Sequence, residues 1–124
     1  MYVKPLCPKN CFKCCLNTEM ILAPSDIAKL EALGFSKDEF TYFDGFFWRL
    51  RNINGKCVFL NDKGKCTIYR YRPLGCRAYP VIYVEGLGFT FDEECPAINT
   101  LTTKDLAIGK ELIKKILREY GIKL

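Results

Sequence analysis

The chain contains no histidine. That absence removes histidine general acid–base chemistry and Cys–His nucleophilic catalysis. It also removes every mixed cysteine–histidine zinc finger, so a zinc site here would be all-cysteine or would borrow a carboxylate. No apolar run approaches the ~18 residues of a membrane span. The opening MYVKPLCPKNCFKCC lacks the apolar stretch of a secretory leader, so a reducing, cytoplasmic setting is expected, with no membrane partner. No G-x-G-x-x-G loop is present for a nucleotide-type cofactor. There is no repeat of fixed period, no linker and no low-complexity stretch, and residues 1–124 read as a single domain.

What the chain does have is cysteine: eight in 124 residues. In an intracellular protein, clustered cysteines read as metal ligands or redox groups rather than disulfides. The formal charge of +5 could suggest nucleic acid, but it counts thiols as neutral. Metal ligands are thiolates, and eight of them with two zinc ions would bring the total to about +1, whereas a four-cysteine [4Fe–4S]2+ cluster would leave about +3. Nucleic acid is therefore not an expected partner; a protein partner is left open.

The expected fold is α+β: a small single domain with short β-hairpins, a long C-terminal helix and irregular cysteine-bearing loops around a metal centre. Thr18–Leu22 reads as a short strand. Pro24 suits the first turn of a helix with Asp26 at its positive end, Ile27, Leu30 and Leu33 on its apolar stripe, and Gly34 as its stop. Ser36 to Glu39 has capping-box spacing for a second short helix ending before Asp44-Gly45. Phe46–Arg51 is strand-like, and Asn54-Gly55 is a two-residue hairpin signal leading into Lys56–Leu60. Ile68–Arg72 reads as one helical turn interrupted by Pro73. Val81–Val84 and Phe89–Phe91 form a hairpin across Glu85–Gly88. Thr102 or Thr103 caps a final helix to about Tyr120, stopped by Gly121. On it Leu106, Leu112, Ile113, Ile116, Leu117 and Tyr120 make an apolar face, with Lys110, Lys114 and Arg118 outside.

The first four cysteines, Cys7, Cys11, Cys14 and Cys15, read C-x3-C-x2-C-C. A two-residue gap lets a tight turn aim both sulfurs at one metal. Adjacent Cys14 and Cys15 diverge in extended structure and lie ~100° apart on a helix, which favours two centres, one larger cluster, or one cysteine with another task. Cys57, Cys66 and Cys76 sit where the chain changes direction, so backbone N–H groups can point toward thiolate sulfur. Cys7 and Cys95 each precede a proline, as cysteines in ferredoxin runs do. Arg70, Arg72 and Arg77 surround Cys76. They either compensate an anionic centre, with Arg77 the leading candidate, or remain solvated or paired with Asp92, Glu93 and Glu94. Tyr69, Tyr71, Tyr79, Phe46, Phe47 and Trp48 are expected to pack in the core and shield the centre.

Together, Cys7 to Cys15, Cys57-Val58-Phe59-Leu60, Cys66-Thr67-Ile68-Tyr69, Arg72-Pro73, Cys76-Arg77-Ala78-Tyr79-Pro80 and Cys95 resemble the YkgJ-type cysteine-cluster family. Its hallmark is CxxCxxCC, and it is described as a zinc- or iron-chelating domain. The resemblance covers roughly residues 7–96 and implies metal chelation. Some relatives are flagellin lysine-N-methylases, so it also leaves a cluster-dependent enzyme open. The gap between Cys7 and Cys11 is one residue longer than the hallmark, so Cys7 is expected to matter less than the other seven. Cys7-x3-Cys11-x2-Cys14 is also the spacing of radical S-adenosylmethionine enzymes. The chain is too short for their partial barrel, and Lys13 stands where they usually carry an aromatic. The site expected from all of this has Cys7, Cys11, Cys14, Cys15, Cys57, Cys66, Cys76 and Cys95 as metal ligands and Arg72 and Arg77 beside them. An iron–sulfur cluster, [4Fe–4S] in type, is preferred over zinc.

Overall fold

Short elements joined by tight turns dominate the chain, as expected where seven of nine glycines take positive φ. The computed structural model describes Val3, Leu16, residues 18–93, Cys95 and residues 97–123. They form a mixed α+β arrangement of four helices and seven short strands among the described residues. The antiparallel strands make a three-stranded sheet and two hairpins.

Strand β1 (Ile21–Leu22) leads through Ala23 into helix α1 (Pro24–Ala32), with Pro24 in its first turn. Ile27 and Leu30 face inward, but Leu33 does not join them: it is the cap residue and stays exposed. Gly34 follows at φ 102°, a left-handed turn that costs an L-residue but not glycine. Helix α2 spans only Lys37–Phe40, and Ser36 makes no side-chain cap. The chain then enters a strand that the sequence reading missed, β2 (Thr41–Phe43), which pairs with β3 (Trp48–Leu50). Strand β3 also pairs with β1, so it is the central strand.

Asn54 and Gly55 both take positive φ, 53° and 78°, as the two-residue hairpin requires. They join β4 (Asn52–Ile53) to β5 (Lys56–Cys57), a partner strand shorter than the expected 56–60. After a 3-10 turn at Tyr69–Tyr71, helix α3 (Leu74–Ala78) forms where a turn was expected. Strands β6 (Val81–Val84) and β7 (Gly88–Phe91) make the anticipated hairpin. Helix α4 (Thr103–Glu119) begins at Thr102, whose hydroxyl accepts the Asp105 amide while Asp105 reaches back to the Thr102 N–H. On α4, Lys114 is half-buried rather than outside.

Two apolar clusters hold these pieces. The first comprises Leu22, Ile27, Leu30, Phe40, Leu50, Cys57, Phe59 and Ile68. The second joins α3 to α4 through Ala23, Leu74, Ala78, Leu112 and Ile116. Each fully buried aliphatic side chain here contributes about 1.5–3 kcal/mol. Helix α4 lies close on β6 at Gly109, where an added Cβ would overlap three atoms of Val81. Tyr120, at the end of α4, donates to the Leu22 carbonyl at 2.5 Å and accepts the Trp48 amide at 3.1 Å, tying the helix to the sheet. No described helix is long and apolar enough to cross a membrane.

Candidate metal centre

Of the eight expected ligands, Cys57, Cys66, Cys76 and Cys95 belong to the described residues; Cys7, Cys11, Cys14 and Cys15 lie outside them. Three of the four border the same apolar cluster. Cys57 is a member of it at 6% exposure, and half-buried Cys66 and Cys76 pack against it. Cys95 is buried in a separate loop.

Each cysteine is held by local geometry. Cys57 ends β5, opposite Asn52 in the hairpin. The chain then closes on itself: Leu60 donates to the Cys57 carbonyl at 2.9 Å, and Leu60 bridges Cys66 across the next turn. Asn61 organises that turn, its side-chain oxygen accepting the amides of Lys63 at 2.9 Å and Lys65 at 3.0 Å. This is the behaviour that makes asparagine a turn residue.

Cys76 lies inside helix α3, not on the turn expected after Gly75. Asp26 explains why so short a helix forms. Its carboxylate accepts the Leu74 amide at 3.0 Å and the Ala23 amide at 2.9 Å, so one buried side chain starts both α3 and α1. Burial pushes the Asp26 carboxyl above its ordinary 3.8, opposed by those two amides and by the nearby Arg77 guanidinium. From sequence Asp26 stands only as a charge at its own helix; its role toward α3, 48 residues away, has no local signal. A close approach at Gly75, where an added Cβ would meet the Met20 side chain, seats α3 against β1.

Three further ties connect the flanks of the remaining cysteines to this framework. Val3 is buried and donates its amide to the Arg77 carbonyl at 2.9 Å, one residue beyond Cys76. Leu16, next to Cys15, pairs with Lys56, next to Cys57. The Asn52 side chain reinforces that junction through bonds of 3.1 and 2.8 Å to the backbone of Thr18. On the other side, Asp92 donates its amide to the Pro80 carbonyl at 2.7 Å and accepts the Tyr79 hydroxyl at 2.7 Å. The Cys95 amide in turn donates to the Asp92 carbonyl at 3.1 Å, which hangs the Cys95 loop from the end of α3. Leu16 and Gly75 share the wall of one cavity of about 530 Å³, with Tyr79 and Asp92 also lining it.

Arg77 supplies a second kind of observation. Its Nε is buried with no hydrogen-bond partner among the described residues, and a buried donor left unsatisfied costs about 1–3 kcal/mol. An acceptor beyond the described residues, such as a thiolate-bound centre, would satisfy it. Arg72 lies over the Tyr69 ring at 4.1 Å and donates to the Tyr69 carbonyl at 3.2 Å. The expectation that the aromatics are core fails in part. Tyr79, Phe47 and Trp48 are half-buried, but Phe46, Tyr69 and Tyr71 are 82, 61 and 55% exposed.

Among the described residues, no group of three or more cysteines and carboxylates is gathered as a metal site. The donor chemistry still fits a thiophilic metal. There are soft sulfur side chains on turn and helix positions, an apolar surround and, beside one of them, a cationic donor with no partner among the described residues.

The chain belongs to the CxxCxxCC family, whose description is "Putative zinc- or iron-chelating domain"; the family match covers residues 6–104. Metal binding is thus supported by family as well as by donor set. The chain is also similar to the uncharacterized protein MJ0661 of Methanocaldococcus jannaschii, with 35% identity over 82 residues. That match takes in 57% of this chain and 43% of the relative, so the chain spans less than half of the curated relative's length. No solved structure matches.

Proposed function

We propose that the protein is a metal-binding module of the reducing cell interior that holds a [4Fe–4S] cluster on cysteine thiolates. The proposed ligands come from Cys7, Cys11, Cys14, Cys15, Cys57, Cys66, Cys76 and Cys95, with Arg72 and Arg77 beside the centre. The observation that carries the reading is the set of backbone ties around α3. The flanks of the N-terminal cysteines are fastened at Arg77 and Lys56, and the Cys95 loop is fastened at Tyr79 and Pro80. Residues next to cysteines far apart in sequence are therefore neighbours of Cys57 or Cys76.

The cluster is preferred over zinc on the chemistry of the surroundings. An anionic iron–sulfur centre calls for apolar cover and nearby hydrogen-bond donors. The apolar side chains packed around Cys57 and the Arg77 Nε, which has no partner among the described residues, offer both. When bound, such a group supplies one-electron chemistry or plain structural cross-linking. The protein's part is to supply thiolates, exclude water and place the guanidinium.

Anaerobic purification followed by iron, sulfide and zinc analysis and an absorption spectrum tests this. The expected result is iron with acid-labile sulfide and broad visible absorption. A colourless, zinc-loaded protein would replace the cluster with an all-cysteine zinc site, and a folded protein free of metal would end both readings.

A further inference from the structure

Residues 56–77 carry six of the chain's 19 basic residues and one of its 14 acidic ones. The rest of the chain holds 13 of each, so the entire formal excess of +5 belongs to the stretch that bears Cys57, Cys66 and Cys76. The charge is displayed at the surface. Lys63 and Lys65 project from the Asn61 turn, and Arg70 from the 3-10 turn, and all three are exposed. Between and beside them, Tyr69 and Tyr71 are 61 and 55% exposed. An exposed run of tyrosine and arginine has the composition of an interface centre. The segment is anchored in the core through Ile68 and Cys66, and neither tyrosine ring takes part in that anchoring.

We propose that this band, residues 61–72, is a docking surface for a protein that presents clustered aspartate and glutamate carboxylates. Charge complementarity steers the encounter, and Arg70 with the two tyrosines supplies the contact. A nucleic acid fits less well. Tyr69 already has one face covered by the Arg72 guanidinium, which leaves less of the ring for a base to stack on. Neither the metal nor its ligand set enters this inference, which rests on the charge and exposure of residues 61–72.

The test uses the full-length, metal-analysed protein and poly-L-glutamate as the acidic probe, with a single-stranded oligonucleotide as the competing ligand. Binding is followed by fluorescence anisotropy at low and moderate salt. The expected result is salt-sensitive binding of poly-L-glutamate that falls at least about tenfold in the Lys63→Glu, Lys65→Glu, Arg70→Glu variant. The Lys104→Glu, Lys115→Glu, Lys123→Glu variant changes net charge equally on exposed positions elsewhere and should bind as the parent does. Equal losses in both variants, no binding of poly-L-glutamate, or tighter binding of the oligonucleotide would each overturn the proposal. Should the charge reversals unfold the chain, Lys63→Gln, Lys65→Gln, Arg70→Gln is the substitute and should show a smaller loss. Metal content is measured for every variant. A metal-free parent that still binds the probe would sink the cluster reading and leave the docking surface standing; a loaded protein that ignores the probe would do the reverse.

Discussion

Val3 hands its backbone N–H to the carbonyl of Arg77 at 2.9 Å, which fixes one end of the N-terminal cysteine stretch beside Cys76. Leu16 fixes the other end beside Cys57 through its bridge to Lys56. A segment whose flanks are already tied loses less entropy if a metal gathers ligands from it, so metal binding and folding should reinforce each other.

Substituting the proposed ligands tests that coupling. Cys66→Ala and Cys76→Ala should each lose metal and lower stability by several kcal/mol, the scale on which loss of a structural metal is felt. Cys7→Ala should be milder, because its spacing departs from the hallmark. Metal per chain and thermal midpoints measured side by side decide the matter, and equal losses from all three would contradict the ranking.

At Gly109 the usual rule for helices should reverse. Alanine at an exposed helix site gains up to about 1 kcal/mol over glycine, but here its Cβ would overlap a branched, stiff Val81. Gly109→Ala should cost about 1–3 kcal/mol by overpacking. Adding Val81→Ala should recover part of that loss in denaturant unfolding.

Asp26 joins two helices, so its removal should be felt in both. Asp26→Ala leaves the Ala23 and Leu74 amides without their acceptor, a cost of about 2–4 kcal/mol for buried donors. Because α3 carries Cys76, the variant should also release metal to a chelator faster than the parent. Unchanged release would mean that α3 keeps its position without this cap.

Acid stability should depend on Asp44. Its carboxylate accepts the Phe46 and Phe47 amides at 2.8 and 2.7 Å and the Arg49 Nε at 2.5 Å. With those partners its pKa falls from 3.8 to about 2. A depressed folded pKa means the stabilisation is complete above 3.8 and is lost as pH falls toward about 2. Asp26 acts in the opposite sense: burial raises its pKa, so its share is complete below 3.8 and declines as pH climbs through the folded value. The stability gap between the parent and Asp44→Asn should therefore narrow on acidification through the window from 3.8 to about 2, measured as thermal midpoint against pH.

The parts legible beforehand are those whose cause is local. The Asn54-Gly55 turn, Pro24 opening α1, the Thr102 cap and the β6–β7 hairpin each rest on a few adjacent residues. The parts missed have distant causes. Helix α3 is five residues long and contains a glycine, so propensity argues against it, and it exists because Asp26 supplies its cap. Strand β2 is three residues, too short for a period to register, and becomes a strand by pairing with β3. The aromatics of the Tyr69–Tyr71 turn look like core by composition, yet the turn leaves them outside and sends Ile68 in. The cysteine set was legible as chemistry, while its means of assembly, through Val3, Leu16, Asn52 and Asp92, was not.

The claim beneath the rest is that sulfur from distant parts of the chain surrounds one kind of metal. X-ray absorption at the edge of the bound metal reads that shell directly. The account predicts a first shell of sulfur alone at ~2.3 Å, with iron neighbours beyond it if a cluster is present. A shell dominated by oxygen or nitrogen, or anaerobically purified protein with no metal to measure, would contradict it.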